Sequence, residues 1–159
     1  VAWLAYHLSW TAYGTWLSGD ERGWVQSGVP VVQLPDAERK WQAEECMAEE
    51  AVHFTVEQRS LIEQTILDHC RIRGWALHAV NVRSNHVHVV VSANRDASQV
   101  MDQFKAWCSR KLSDQAGLEK QVARKAGRRR WWTEGGSKKR IDSEEYLRNA
   151  IEYVLEKQE

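Results

Sequence analysis

The chain opens on AWLAYHLSW at residues 2–10, where apolar and aromatic side chains dominate and no proline intervenes; this predicts a buried or half-buried strand. The stretch TAYGTWLSGDERGWV follows, and its glycines predict turns that present Trp16 and Trp24. GVPVVQLP at 28–35 reads as an irregular connection bounded by prolines. Residues 36–50, rich in Glu and Ala, predict a helix, and Ala51–Val56 is either a strand or an extended link. Ser60 with Glu63 three residues later has the form of a capping box. Leu61, Ile62, Ile66 and Leu67 then repeat at helical spacing up to Gly74, where the helix is expected to stop.

Two strands come next, Trp75–Val82 and His86–Ser92, joined by a turn at Arg83-Ser84-Asn85 and close enough to form a hairpin. Ser98 is the expected cap of a helix carrying Val100, Met101, Phe104, Trp107, Cys108 and Leu112 on one stripe. Gly135-Gly136 predicts a turn that makes a hairpin of the segment from Trp131 to a returning strand at Lys139–Ile141. Ser143, with Glu144 and Glu145, starts a last helix with Leu147, Ile151, Val154 and Leu155 among its apolar positions. The order predicts an α+β fold: one domain over residues 1–159, a small antiparallel sheet with helices packed on one face, and an irregular and helical insert at about 14–56. No internal repeat, dinucleotide fingerprint or phosphate-loop motif is present.

Charge changes this picture more than composition does. The 159 residues sum to a net charge of zero, which argues at first against a nucleic-acid partner. The distribution reverses that argument. Nine acids and four bases lie in residues 1–60, twelve bases and three acids from Lys105 to Arg140, and six acids and two bases from Asp142 onward. One basic segment is therefore concentrated in the chain, and it is either a solvated loop or a surface for phosphates. The nine tryptophans are divided in expectation between the core and flat interface surfaces. Cys46, Cys70 and Cys108 are scattered and odd in number, so a reducing cytoplasm is expected rather than a disulfide framework. No apolar run approaches the roughly 20 residues needed to span a bilayer, no signal peptide is read, and no membrane partner is expected.

His86 and His88 are the sharpest local signal. Residues two apart on a strand share a face, so both imidazoles should emerge on one side while Val87 and Val89 point to the other. Two such imidazoles can hold one divalent metal; the competing reading is a pair of surface or core-bonded histidines. Asn85 adds a polar group beside them. Tyr153, on the last helix, reads by itself as a packing residue. Its phenol, with a reference pKa of about 10, becomes a nucleophile only where a metal polarises the phosphate under attack.

The stretches YGTWL and GDERGWV, then AVNVRSNHVHVVVS, then RRWW with GGSKKRI, and the closing EEYLRNAIEYVLEKQ resemble the single-tyrosine HUH transposases. This is the IS200-like family, and within it the group associated with repetitive extragenic palindromes. They cover nearly the whole chain in the expected order. The resemblance implies a ferredoxin-like sheet of HUH endonuclease type, a homodimer, and Mg²⁺ or Mn²⁺ bound by His86 and His88. It implies that Tyr153 attacks a phosphate of single-stranded DNA with palindromic or hairpin elements and keeps a 5′-phosphotyrosine link; Tyr146 is the weaker alternative. Many relatives place a metal-binding Gln four residues after the tyrosine, where this chain has Lys157. Gln158 is then the nearest match for the third ligand, and Asn149, on the same helical face as Tyr153, is a substitute.

Arg124, Lys125, Arg128, Arg129, Arg130, Lys138 and Lys139 are expected to contact DNA phosphates, with Trp131 or Trp132 stacking on a base. Three functions follow: an enzyme of DNA transposition or repeat processing that cuts and rejoins strands, a binding protein that kept the fold but lost cleavage, or another HUH enzyme such as a replication initiator. YGTWL favours the first over the third, while the displaced Gln158 keeps the second open.

Overall fold

The computed structural model describes residues 3–15, 22–25, 31–47, 50–119 and 130–156. Its centre is a four-stranded sheet of β1 (Ala5–Thr11), β4 (Ala76–Val82), β5 (His86–Ser92) and β6 (Ser137–Ile141). The order across the sheet is β4-β5-β1-β6, and every neighbouring pair is antiparallel. The insert holds a two-residue pair, β2 (Trp24–Val25) with β3 (Val32–Gln33), and then the short helix α1 (Ala37–Glu45).

Alternation along the central strands decides what each face of the sheet does. Tyr6, Leu8 and Trp10 of β1 and Val87, Val89 and Val91 of β5 enter one large core. That core is closed by helix α2 (Val56–Arg73) through Ile62, Ile66 and Cys70, and by helix α3 (Ala97–Glu119) through Val100, Met101, Phe104, Cys108 and Leu112. The opposite face carries Ala5, Ala79, Val90 and Ile141, and helix α4 (Glu144–Glu156) lies on it through Ala150 and Val154. Helices therefore cover both faces, which corrects the expectation of a single helical layer. The reason lies in β1 and β5: their second face mixes small and apolar residues with His7, Ser9, His86 and His88, leaving room for one amphipathic helix over a polar strip.

Local chemistry explains most boundaries. Thr55, not Ser60, caps α2: its side chain accepts from the Gln58 N–H while the Gln58 side chain accepts from the Thr55 N–H, a complete capping box. Gly74 ends α2 at φ 71°, a left-handed conformation open to glycine. Asp36 caps α1, and the Asp96 carboxylate, rather than Ser98, accepts a backbone N–H at the start of α3. Ser143 caps α4 as expected, accepting from the Tyr146 N–H. Leu155 points outward at 56% exposure, away from the apolar stripe predicted for it. Of the stretch Ala51–Val56, residues 51–55 are an extended link, whose Val52 and Phe54 N–H groups bond the carbonyls of Tyr13 and Ser84, and Val56 already opens α2.

The segment 130–141 is not a hairpin. Trp132 bridges Ala12, and β6 pairs with β1 from Ser9 back to Ala5, so both parts of the segment run along the same strand. Gly136 lies in the turn between them at φ 148°, and a Cβ there would meet the Ser9 carbonyl oxygen at 2.6 Å and Met101 Sδ at 2.9 Å. Gly136→Ala should lower stability by about 1–3 kcal/mol through overpacking and backbone strain. It should also displace β6; an unchanged melting temperature would show that the turn yields freely.

Candidate active site

The polar strip beneath α4 gathers three histidines. His86 and His88 project from the same face of β5, with ring centroids 5.1 Å apart and near-perpendicular planes. His7 comes from β1, where its direct partner on β5 is Val90, so His88 is its diagonal neighbour. His7 Nε2 and His88 Nδ1 are 3.2 Å apart, within hydrogen-bond distance. Asn85 Oδ1 accepts from His86 Nδ1 at 2.7 Å, which leaves Nε2 to carry the lone pair in the neutral form of that ring.

Helix α4 brings Tyr153 over this strip. Its ring lies 6.0 Å from His7 and 6.2 Å from His88, edge-on to both, and is 45% exposed. Asn81, opposite His88 on β4, donates its side-chain amide to the Val154 carbonyl at 2.9 Å and ties this turn of the helix to the sheet. Between α4 and the β1–β6 side of the sheet is a cavity of about 400 Å³ lined by His7, Ser9, His88, Ser137, Lys139, Tyr146, Asn149, Ala150 and Tyr153. Lys139 reaches it because β6 pairs Lys139 with His7, while Lys138 pairs with Leu8 and belongs to the other face. Tyr146 also lines the cavity but packs beside the smaller core.

Burial disfavours the protonated form of two of these histidines, His7 and His88. His88 is pushed down to about 3, first by burial and then by repulsion from His86, His7 and Lys139. His7 is lowered by burial, with Lys139 adding to the effect. An unfolded imidazole takes up a proton near pH 6.5, so below that pH the unfolded chain binds more protons at His88 than the folded one. The stability associated with neutral His88 is thus complete above about pH 6.5 and is lost as pH falls toward 3. Melting temperature should fall less steeply between pH 7 and pH 4 in His88→Asn than in the parent protein; equal slopes would contradict this.

Two neutral imidazoles on one face suit a divalent cation of intermediate softness. Among the described residues no group of three His, Cys, Asp or Glu side chains is placed to hold a metal. Asn149, whose amide oxygen is a suitable donor, lines the same cavity. Gln158 and its neighbour Lys157 lie outside the described residues, as do Arg124, Lys125, Arg128 and Arg129.

The structure corrects the expectation for Trp131. Trp131 is 3% exposed in the large core and donates its indole N–H to Ser113 Oγ. Trp132 is half-buried, packs on Trp10 and Phe54, and donates to the Lys105 carbonyl. Trp131 is therefore closed to a base, while Trp132 spends part of its area on the core. Arg130 is exposed at the entrance to this segment. His7, Ser9 and Ser137 were not singled out from sequence. The only signal was the alternation of His7 and Ser9 with Tyr6, Leu8 and Trp10, and their partners become visible only through strand pairing.

A family model described as "Transposase IS200 like" matches residues 45–157, more than half of the chain. No curated protein matches. Among solved structures, one similar to this chain is a REP-associated tyrosine transposase bound to a REP hairpin. The TM-score is 0.51 at 12% identity, covering 97% of this chain and 67% of that one. Another is a candidate transposase from Deinococcus radiodurans R1, with a TM-score of 0.46 at 18% identity over 99% of this chain and 92% of that one. Among the described residues, no helix is long and apolar enough to cross a membrane.

Proposed function

The chain belongs to the IS200-like transposase family, and on that premise we propose that it is a metal-dependent endonuclease and strand transferase acting on single-stranded DNA through Tyr153. The observation that carries this reading is the placement of Tyr153 over His88, with Lys139 on the same cavity. The strand order and uniform antiparallel pairing support a ferredoxin-like HUH sheet. Single-stranded DNA with palindromic or hairpin elements is the substrate in this reading, in keeping with the family and with the REP hairpin bound by the similar transposase, and the working form of the protein is a homodimer.

His86 and His88 would hold Mg²⁺ or Mn²⁺, with Asn149 or Gln158 as a further ligand. Bound there, the cation polarises the scissile phosphate and stabilises the charge that develops on it. The chain's own residues do the rest. Lys139 attracts the DNA backbone into the cavity, joined in this reading by Arg130 and the basic residues Arg124, Lys125, Arg128 and Arg129, whereas Lys138 lies on the opposite face of the sheet and takes no part there. Tyr153 Oη forms a bond to phosphorus and loses its proton. The P–O3′ bond breaks, and the departing 3′ oxygen takes up a proton. The 5′ phosphate remains on the tyrosine, and attack by another 3′-hydroxyl reverses the step and joins a new strand. Hydrolysis by water would lack that second outcome.

The alternative, a protein that binds such DNA without cutting it, takes its support from Lys157 at the position where many relatives carry glutamine. Incubation with Mn²⁺ and labelled single-stranded DNA carrying a palindrome separates the two. A covalent adduct that survives a denaturing gel supports the enzyme. Tight binding with no adduct across palindromic substrates supports the binding protein.

A further inference from the structure

We infer that His7 is a positioning residue for His88: it accepts a hydrogen bond from His88 Nδ1–H and so holds the His88 ring in the tautomer whose lone pair sits on Nε2. The inference rests on the reading of His86 and His88 as metal ligands and adds to it a residue outside that pair.

The argument starts from the sheet. His7 is 9% exposed on a strand with neighbours on both sides, a costly place for an imidazole unless it is hydrogen-bonded. Its diagonal placement against His88 brings His7 Nε2 to 3.2 Å from His88 Nδ1. A neutral imidazole has one N–H and one lone pair, so the bond has two forms. If His7 donates, His88 carries its remaining proton on Nε2 and cannot bind a cation through that atom. If His88 donates, Nε2 is left as the donor atom toward a cation. His86 already shows the second pattern, since its Nδ1 is turned to Asn85 Oδ1. The two rings then act alike, each fixed through Nδ1 by an acceptor behind it, in the way outer partners orient metal-bound histidines.

The test has one readout free of metal and one free of catalysis. In metal-free protein, long-range ¹⁵N spectra of the imidazoles should show the His88 proton on Nδ1. In His7→Phe that proton should move toward Nε2, and Mn²⁺ affinity measured by calorimetry should fall about 10- to 100-fold. His7→Gln, whose amide oxygen can accept the same hydrogen bond, should keep affinity near the parent value. A His88 proton found on Nε2 in the parent protein overturns the inference, as does parent-like Mn²⁺ binding in folded His7→Phe. If His7→Phe does not fold, the parent spectrum decides. A parent protein that binds no Mn²⁺ while keeping the proton on Nδ1 would instead defeat the metal reading and leave the hydrogen bond as a structural one.

Discussion

Alanine at both His86 and His88 should abolish detectable Mn²⁺ binding and lower single-strand cleavage by about 10³–10⁴-fold. The magnitude follows from the several kcal/mol that a cation contributes to charge stabilisation at a phosphate, at about 1.4 kcal/mol per tenfold in rate. The fold should survive the change. Both side chains are half-buried on the polar strip, while Val87, Val89 and Val91 on the same strand carry its burial in the large core. A melting temperature close to the parent value, together with lost cleavage, is the expected pair of results. Cleavage that persists in the double variant would mean that the histidines only fill space under α4.

Tyr153→Phe should remove the covalent adduct altogether, because the phenyl ring keeps the packing and lacks the attacking oxygen. Tyr146→Phe should retain it. The two tyrosines lie on the same helix and line the same cavity, but their surroundings differ. Tyr146 packs beside the smaller core near Leu147 and Ile151, whereas Tyr153 is 45% exposed and edge-on to His7 and His88. Single-strand binding should remain in both variants, measured by fluorescence anisotropy at low salt. An adduct lost in Tyr146→Phe and kept in Tyr153→Phe would exchange the two assignments.

Much of this site was legible in the sequence because its strongest parts are local. The two-residue spacing of His86 and His88 dictates a shared face wherever that strand lies, and the structure shows that face. Ser143 and Gly74 mark helix ends through chemistry confined to a few residues. Other features depend on contacts distant in the chain. Ser60 had the form of a cap but lies inside α2, whose start is closed by Thr55 and Gln58, and burial of Ile62 and Ile66 is compatible with the longer helix. Trp131 and Trp132 follow the basic residues in sequence, yet pairing of their segment with the end of β1 puts Trp131 in the core and Trp132 against it. His7 is 81 residues from His88, and only the β1–β5 register makes them neighbours. The second helical layer was missed for the same reason: α4 is amphipathic in either arrangement, and which sheet face it covers is a property of the assembled sheet.

The central claim is that Tyr153 becomes joined to the 5′ side of a DNA break, and mapping the adduct tests it most directly. Protein incubated with Mn²⁺ and a palindromic single strand would be digested with protease and nuclease, and the modified peptide sequenced by mass spectrometry. The account predicts one modified peptide from α4, with a nucleotide attached through its 5′ phosphate to Tyr153 and a free 3′-hydroxyl on the released strand. A nucleotide on another residue, or a break leaving 3′ phosphate on the protein, would contradict it.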